Sequence, residues 1–240
     1  MEVVSNDRLA VLVEDAAAAY PVRIDPTFSD ANWVSMGGFA GTDGIVHAIA
    51  LDAVGNVYVG GRFQTAGDVA ATNIAKWNGV GWSALGGISD DGNLDPAAPM
   101  PSVLALAVSG NDVYAGGDFL YANGRRVNRI VKWNGNSWSS LGAGVDRAVY
   151  ALAVFGRDLY EGGDFRYATN RDLTVVRVNK IARWDGNEWS AVGSGVDACV
   201  YALAASGGYL YAGGLFGHAN NAGTGALHVF RIAAWNGTAW

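Results

Sequence analysis

Apolar residues fall in short runs along this chain, alternating with small or polar ones and stopping at Gly, Asn or Asp, which is the pattern of short, half-buried strands. The runs are not independent. A block of about 50 residues returns four times, and a set of anchors returns with it. Glycine doublets stand at Gly60-Gly61, Gly116-Gly117, Gly162-Gly163 and Gly213-Gly214, each preceded by a Tyr (Tyr58, Tyr114, Tyr160, Tyr211) and followed by a Phe (Phe63, Phe119, Phe165, Phe216) at constant offsets. An Ile-x-x-Trp unit comes next, at Ile74/Trp77, Ile130/Trp133, Ile181/Trp184 and Ile232/Trp235, and a second Trp closes each copy at Trp82, Trp138, Trp189 and Trp240. In the third copy this predicts strand a at 149–154, b at 158–162, c at 179–184 and d at 189–193.

The connections predict how these strands pair. Asn78-Gly79, Asn134-Gly135, Asp185-Gly186 and Asn236-Gly237 lie between c and d and are hairpin signals, because Asn, Asp and Gly tolerate positive φ. Short turns at Gly55-Asn56, Gly110-Asn111, Gly156-Arg157 and Gly207-Gly208 join a to b. Four antiparallel strands per repeat form a propeller blade. Side-chain size is graded accordingly: strand a carries small residues on one face (Ala48/Ala50, Ala105/Ala107, Ala151/Ala153, Ala202/Ala204), where blades converge, and the outer strands carry Trp, where blades diverge. The expected fold is all-β, a β-propeller of four-stranded blades over 31–240. Residues 1–30 are expected to be a strand pair and linker from a preceding module, with strands at 8–14 and 20–24 and a break at Pro26.

Tyr-x-Gly-Gly, then Ile-x-x-Trp, then a Trp opening the next strand resembles kelch repeats and the propeller domain of galactose-oxidase-like proteins. The wording RIVKWNGNSWSSLGAGV at 129–145 resembles the repeats of Rax2-like cell-surface propellers and of large secreted bacterial proteins. The resemblance covers about 33 to 240 and implies kelch-like blades and an extracellular or cell-surface setting. It implies no single activity, because propellers host unrelated ones. A lone d-like run at 33–38 precedes any strand a, and the fourth copy reaches Trp240 where its own d begins. Three arrangements fit: a four-blade ring closed through 33–38, a part of a larger ring, or two chains paired into one eight-blade ring.

Composition narrows the partners. A net charge of −6 argues against nucleic acid, which needs a basic stripe. The single cysteine, Cys199, excludes an internal disulfide and a multi-cysteine metal site, and is expected as a buried thiol. No apolar run approaches the roughly 18 residues of a membrane span, and MEVVSNDRLAVLVED lacks the basic start and cleavage site of a secretory signal.

Candidate chemistry is sparse. His47, His218 and His228 lack metal-ligand spacing, so no metal or other cofactor is expected, and copper-radical oxidation of the galactose-oxidase kind is excluded by the absence of a Tyr-His dipeptide. Asp43, Asp91, Asp146 and Asp197 recur between d and a, and Asp118 and Asp164 follow two doublets; such residues either cap turns or gather as a cation or acid/base site. The acidic run at 89–95 resembles a calcium loop without its twelfth-position Glu. Eight of the nine Trp occupy c and d positions and are expected to pack, and the sequon at Asn236 is a turn. The d–a and b–c connections share one face and vary, notably at 86–102, 165–179 and 216–230. Variable loops on a regular scaffold carry binding. The expected contact residues are Tyr121, Arg125, Arg126, Arg166, Tyr167, Arg171, His218, Asp146 and Asp197. The expected function is a non-catalytic binding or scaffold module of an extracellular or surface protein, taking a protein or glycan partner. The alternative is a lyase or hydrolase that uses loop-face carboxylates near the axis.

Overall fold

A computed structural model describes residues 2–5, 8–10, 41–89, 101–221 and 225–240. Every regular element among these is a β-strand. The chain divides into two compact units, Met1–Val34 and Ser35–Trp240. In the first, Glu2–Ser5 pairs antiparallel with Arg8–Ala10, so the strand expected at 8–14 takes an upstream partner. The runs expected at 20–24 and 33–38, and the acidic segment beyond Ser89, Asp91 included, lie outside the described residues.

The second unit carries the repeat. Strands a (Ile45–Leu51, Ser102–Ser109, Val149–Phe155, Val200–Ser206), b (Val57–Arg62, Asp112–Asp118, Asp158–Gly163, Tyr209–Gly214), c (Ile74–Trp77, Ile130–Trp133, Ile181–Trp184, Ile232–Trp235) and d (Trp82–Ala84, Trp138–Ser140, Trp189–Ala191) form antiparallel sheets in the order a-b-c-d, the fourth with a, b and c described. Four bounds differ from expectation in the third repeat: strands a and b each run one residue further, to Phe155 and Gly163, and c and d are shorter. Strand d ends at Ala191, before 193, and strand c begins at Ile181 because Asn179 and Lys180 take φ of 46° and 74°, outside the pleated region. The same kink precedes c at Asn128-Arg129, and at Asn73 and Arg231.

The c–d turns form at the expected places by a different mechanism. Only the Gly takes positive φ; the Asn or Asp before it accepts hydrogen bonds through its side chain. Asn78 Oδ1 accepts from Val80 and Gly81 N–H, and Asn134, Asp185 and Asn236 repeat the arrangement. Beside each turn the two Trp rings meet across the strands, with centroids 4.9 to 5.5 Å apart.

Successive sheets interlock through the doublets. A Cβ on Gly60 would collide with Val103, and one on Gly116 would lie 2.6 Å from Val149 Cγ1; Gly162 meets Val200 in the same way, and Leu106, Leu152 and Leu203 complete the three contacts. Val and Leu three residues apart would face opposite sides of a regular strand. They share a side because every strand a carries a bulge between them, at His47, Leu104, Tyr150 and Tyr201. At the outer edge Trp189 Nε1 donates to Leu141 O at 3.0 Å and Trp240 Nε1 to Val192 O at 3.2 Å, tying each sheet to the one before it; Trp138 does the same to Leu85 O. Each buried Val or Leu contributes about 1.5–3 kcal/mol. The end faces of the array differ: Val46, Ile49, Tyr211 and Ile232 are exposed, so the first sheet is not seen closed onto the last.

One core position breaks the pattern. Glu161 stands where the other repeats have Val59, Ala115 and Ala212, fully buried, with neither carboxyl oxygen hydrogen-bonded among the described residues. Burial pushes its carboxyl well above the ordinary 4.5.

Two outcomes follow for stability. Gly116→Ala should cost about 1–3 kcal/mol in urea unfolding, as overpacking does, whereas Gly213→Ala, with nothing nearer than Ala202 Cβ at 3.8 Å, should stay within about 0.5 kcal/mol of wild type. Since Glu161 binds its proton more tightly folded than unfolded, stability should fall as pH rises from the ordinary carboxyl value toward the raised folded one. In Glu161→Gln that dependence should disappear, and Glu161→Ala should be more stable than wild type at pH 7, as measured by chemical unfolding across pH.

Candidate binding face

The connections expected to be loops are small sheets. Each b–c segment folds into a hairpin: Thr65–Ala66 with Val69–Ala70, Tyr121–Ala122 with Arg125–Arg126, Tyr167–Thr169 with Val175–Arg177, and His218–Asn221 with Gly225–His228. The d–a segment joins its edge, through Ile88–Ser89 on Tyr121–Ala122 and Gly144–Val145 on Tyr167–Thr169, and through bridges from Thr42 to Ala66 and Val196 to Ala219. The variable connections are therefore built surfaces whose side chains have fixed partners.

The described recurring aspartates serve as struts for these hairpins. Asp43 Oδ1 accepts from the N–H groups of Gln64 and Thr65 at 2.7 and 2.9 Å, and Asp146 Oδ1 from Arg166 and Tyr167 at 2.8 and 2.9 Å. Asp197 Oδ1 accepts from Gly217 and His218 N–H, and its Oδ2 lies 2.9 Å from His218 Nδ1. Backbone hydrogen bonds, that from Thr65 foremost, hold the Asp43 carboxyl below its ordinary value. At Asp197 desolvation works against ionisation, but the combined hydrogen bonds from His218 and Gly217 outweigh it and the carboxyl is also lowered. Each of the three is engaged within its own repeat, so they do not converge on one pocket.

Tyr121, Tyr167 and His218 occupy one repeated position, two residues after the Phe anchor. Their cross-strand partners are Arg126, Arg177 and His228. In the two middle repeats the arginine is anchored: Arg126 Nε donates to Asn128 Oδ1, and Arg177 Nε to Asn179 Oδ1, both at 3.0 Å. The asparagines are held in turn, Asn128 Nδ2 donating to Ala143 O and Asn179 Nδ2 to Ser194 O. The left-handed Asn thus presents an oriented guanidinium. In the fourth repeat His218 and His228 replace the Tyr–Arg pair and meet edge to face with centroids 5.1 Å apart.

Two open clefts result. Arg125, Arg126 and Arg171 line one of about 310 Å³, beside Trp138, Ser139 and Ser140. Arg166 and Asp197 line the other, of about 320 Å³, with Arg177, Asn179, Lys180 and Asn220. Tyr121, Tyr167, Asp146 and His218 lie outside these two clefts. Arg177, Asn179 and Lys180 are new to the candidate set, and their signal was the tetrapeptide Arg-Val-Asn-Arg at 126–129 returning as Arg-Val-Asn-Lys at 177–180. Among the described residues Arg125, Arg126, Arg166, Arg171 and Arg177 make no ion pair. Lys180 does: its Nζ donates to Asp164 Oδ1 and, at 2.8 Å, to Asp164 O, and that contact holds the Asp164 carboxyl low. Cys199 is half-buried rather than buried as expected, and its thiol donates to Asp164 Oδ1 at 3.4 Å. Desolvation, then the adjacent Asp164 carboxylate, pushes the thiol up, away from the thiolate a nucleophile needs. Among the described residues no group of three or more His, Cys, Asp or Glu is placed to hold a metal ion. No helix is long and apolar enough to cross a membrane there.

No family model and no curated protein matches the chain. Among solved structures it is similar to the computationally designed Ika4 protein (16% identity over 85% of this chain and 98% of that one, TM-score 0.42). It is also similar to the extracellular domain of a putative one-component system from B. thetaiotaomicron (11%, 79% and 21%, 0.46) and to the designed Ika8 protein (15%, 85% and 74%, 0.35). The chain spans about a fifth of the length of the B. thetaiotaomicron domain. The description of the all-β fold rests on the strands themselves.

Asp146→Ala should accelerate amide hydrogen exchange at Arg166 and Tyr167 by at least tenfold while leaving the exchange of Leu152 and Ala182, in the sheet beneath, unchanged. Mass-spectrometric or NMR exchange measures both.

Proposed function

We propose that the four repeats are kelch-like blades of a β-propeller and that the chain is a non-catalytic binding module whose hairpin face takes an anionic group of a glycan or protein partner. The observation that carries this reading is the pair of Asn-anchored arginines, Arg126 and Arg177, each beside further cations in an open cleft. A planar guanidinium held in one orientation loses little freedom on meeting a carboxylate or sulfate, which it bonds through two parallel N–H groups. On a chain of net charge −6, Arg125, Arg126 and Arg171 line one cleft without a carboxylate, and Arg166 and Arg177 line the other with a single one, Asp197. The blade reading is supported by the a-b-c-d order in the first three sheets, the a-b-c order in the fourth, and the stacking of the second, third and fourth strands a on the preceding doublet. The resemblance to Rax2-like and secreted bacterial repeats supports an extracellular or surface setting.

The lyase or hydrolase alternative needs carboxylates that share a pocket. Asp43, Asp146 and Asp197 are instead committed to the backbone of their own hairpins, which favours the non-catalytic reading.

Calorimetric titration with a sulfated oligosaccharide and with a glutamate-rich peptide, each against a neutral counterpart of equal length, tests the proposal. At least one anionic ligand should bind and its neutral counterpart should not. Charge-assisted hydrogen bonds contribute about 1.5–3 kcal/mol each, so Arg126→Ala with Arg177→Ala should weaken binding at least tenfold, and 0.5 M salt, on the order of three times the physiological ionic strength, should weaken it further. No binding of either anionic ligand, or an unchanged double variant, would contradict it.

A further inference from the structure

The fourth repeat departs from its neighbours at three linked positions. Where the second and third carry Tyr121 or Tyr167, Arg126 or Arg177, and Asn128 or Asn179, it carries His218, His228 and Phe230. The two histidines stand directly opposite each other across their hairpin, a pairing that sets Cβ atoms about 4.5–5.5 Å apart, and their ring centroids are 5.1 Å apart. Phe230 packs edge to face on His228 at 5.0 Å, from the position of the asparagine that orients the arginine in the middle repeats. This position faces outward whether or not it lies in the last repeat: Tyr167 and Arg177 are exposed as well, although a sheet packs on each side of theirs.

We propose that His218 and His228 together ligate one divalent transition-metal ion, with Asp197 positioning His218. Asp197 Oδ2 lies 2.9 Å from His218 Nδ1. A carboxylate can only accept, so in the neutral ring Nδ1 carries the proton and Nε2 keeps its lone pair for the ion. A carboxylate behind a ligating imidazole also fixes the ring and raises its basicity. Among the described residues, Nε2 of His218 and both ring nitrogens of His228 have no hydrogen-bond partner. Two imidazoles on one tetrahedral ion, with metal–nitrogen bonds of about 2.0–2.1 Å, have centroids about 5 Å apart. That is the separation found between these rings. His228 turns on a soft χ2 torsion, so a nitrogen can be aimed at the ion without moving the strand. Imidazole ligands suit zinc, copper and nickel, whereas magnesium and calcium take oxygen ligands. Two protein ligands leave the other coordination positions to water. The inference does not depend on what Arg126 and Arg177 bind, since neither histidine lines the two clefts.

Calorimetric titration of the untagged chain with Zn²⁺, and with Mg²⁺ as the control, tests this. One Zn²⁺ per chain should bind and Mg²⁺ should not. The side chain of His218 is 44% exposed and His228 is exposed, so His218→Ala and His228→Ala should each keep the wild-type circular dichroism while weakening Zn²⁺ binding at least tenfold. Asp197→Asn retains an oxygen for the amides of Gly217 and His218 and should weaken binding about tenfold through the lost charge at Nδ1. In NMR spectra the imidazole resonances of His218 and His228 should move on adding Zn²⁺ while those of His47 stay, a response that a purely structural role for the pair would not give. Absence of zinc binding would overturn the proposal. Wild-type affinity in either alanine variant or in Asp197→Asn would overturn it too, as would a zinc response confined to His47.

Discussion

The rest of the structure depends on an empty space, the hydrogen at the first glycine of each doublet. A methyl group there would occupy the position of a valine methyl from the next sheet, at Gly60, Gly116 and Gly162 alike. The second glycine faces the opposite constraint, since a Cβ on Gly61, Gly117, Gly163 or Gly214 would strike a backbone carbonyl at or just before the start of its own strand a. Two adjacent glycines thus permit two close approaches on opposite sides of one strand, sheet against sheet and strand against bulge. The bulge is the complementary half, because it brings Val103 and Leu106 to one side of the strand. Aromatic packing is secondary to this: the Trp pairs and their Nε1 bonds close the outer gap between sheets whose spacing the glycines have already set.

With the sheets locked in series, the connections between them become platforms. Hairpins after the doublets are held from below by Asp43, Asp146 and Asp197, which spend their charge on backbone amides. These three carboxylates are committed to the hairpins, Asp197 while also lining one of the two clefts. Arg126 and Arg177 are oriented by asparagines that the left-handed kink before strand c projects toward the neighbouring connection. The same kink that shortens strand c by two residues places the asparagines that orient these two guanidiniums. Glu161 is the exception in the core, a proton-dependent weakness where neighbouring repeats use Val or Ala.

Much of the scaffold was legible because its anchors are periodic and chemically unusual. Doublets, paired tryptophans and Asn-Gly turns mark strands a and b, the start of d and the c–d hairpins. The bulge was not legible, since alternation at 102–109 read residue by residue puts Val103 and Leu106 on opposite sides. Nor were the small hairpins, whose strands of two to four residues, such as Arg125–Arg126, have no apolar alternation to reveal them. At the candidate site the hairpin tyrosines and arginines were visible as non-repeating residues beside a repeating frame. Arg177, Asn179 and Lys180 were missed because Asn179 had been assigned to strand c, although the recurrence of Arg-Val-Asn-(Arg/Lys) was present in the sequence. Glu161 was hidden inside a well-matched anchor.

The central claim is that glycine and valine of successive sheets compete for one volume. A double-mutant cycle on Gly60→Ala and Val103→Ala measures this directly by chemical unfolding. Each single change should destabilise, the first by overpacking and the second by leaving a cavity. Together they should compensate, with a favourable coupling of about 1 kcal/mol or more, because the new methyl enters the space the valine vacates. Additive effects, with no coupling, would contradict the account.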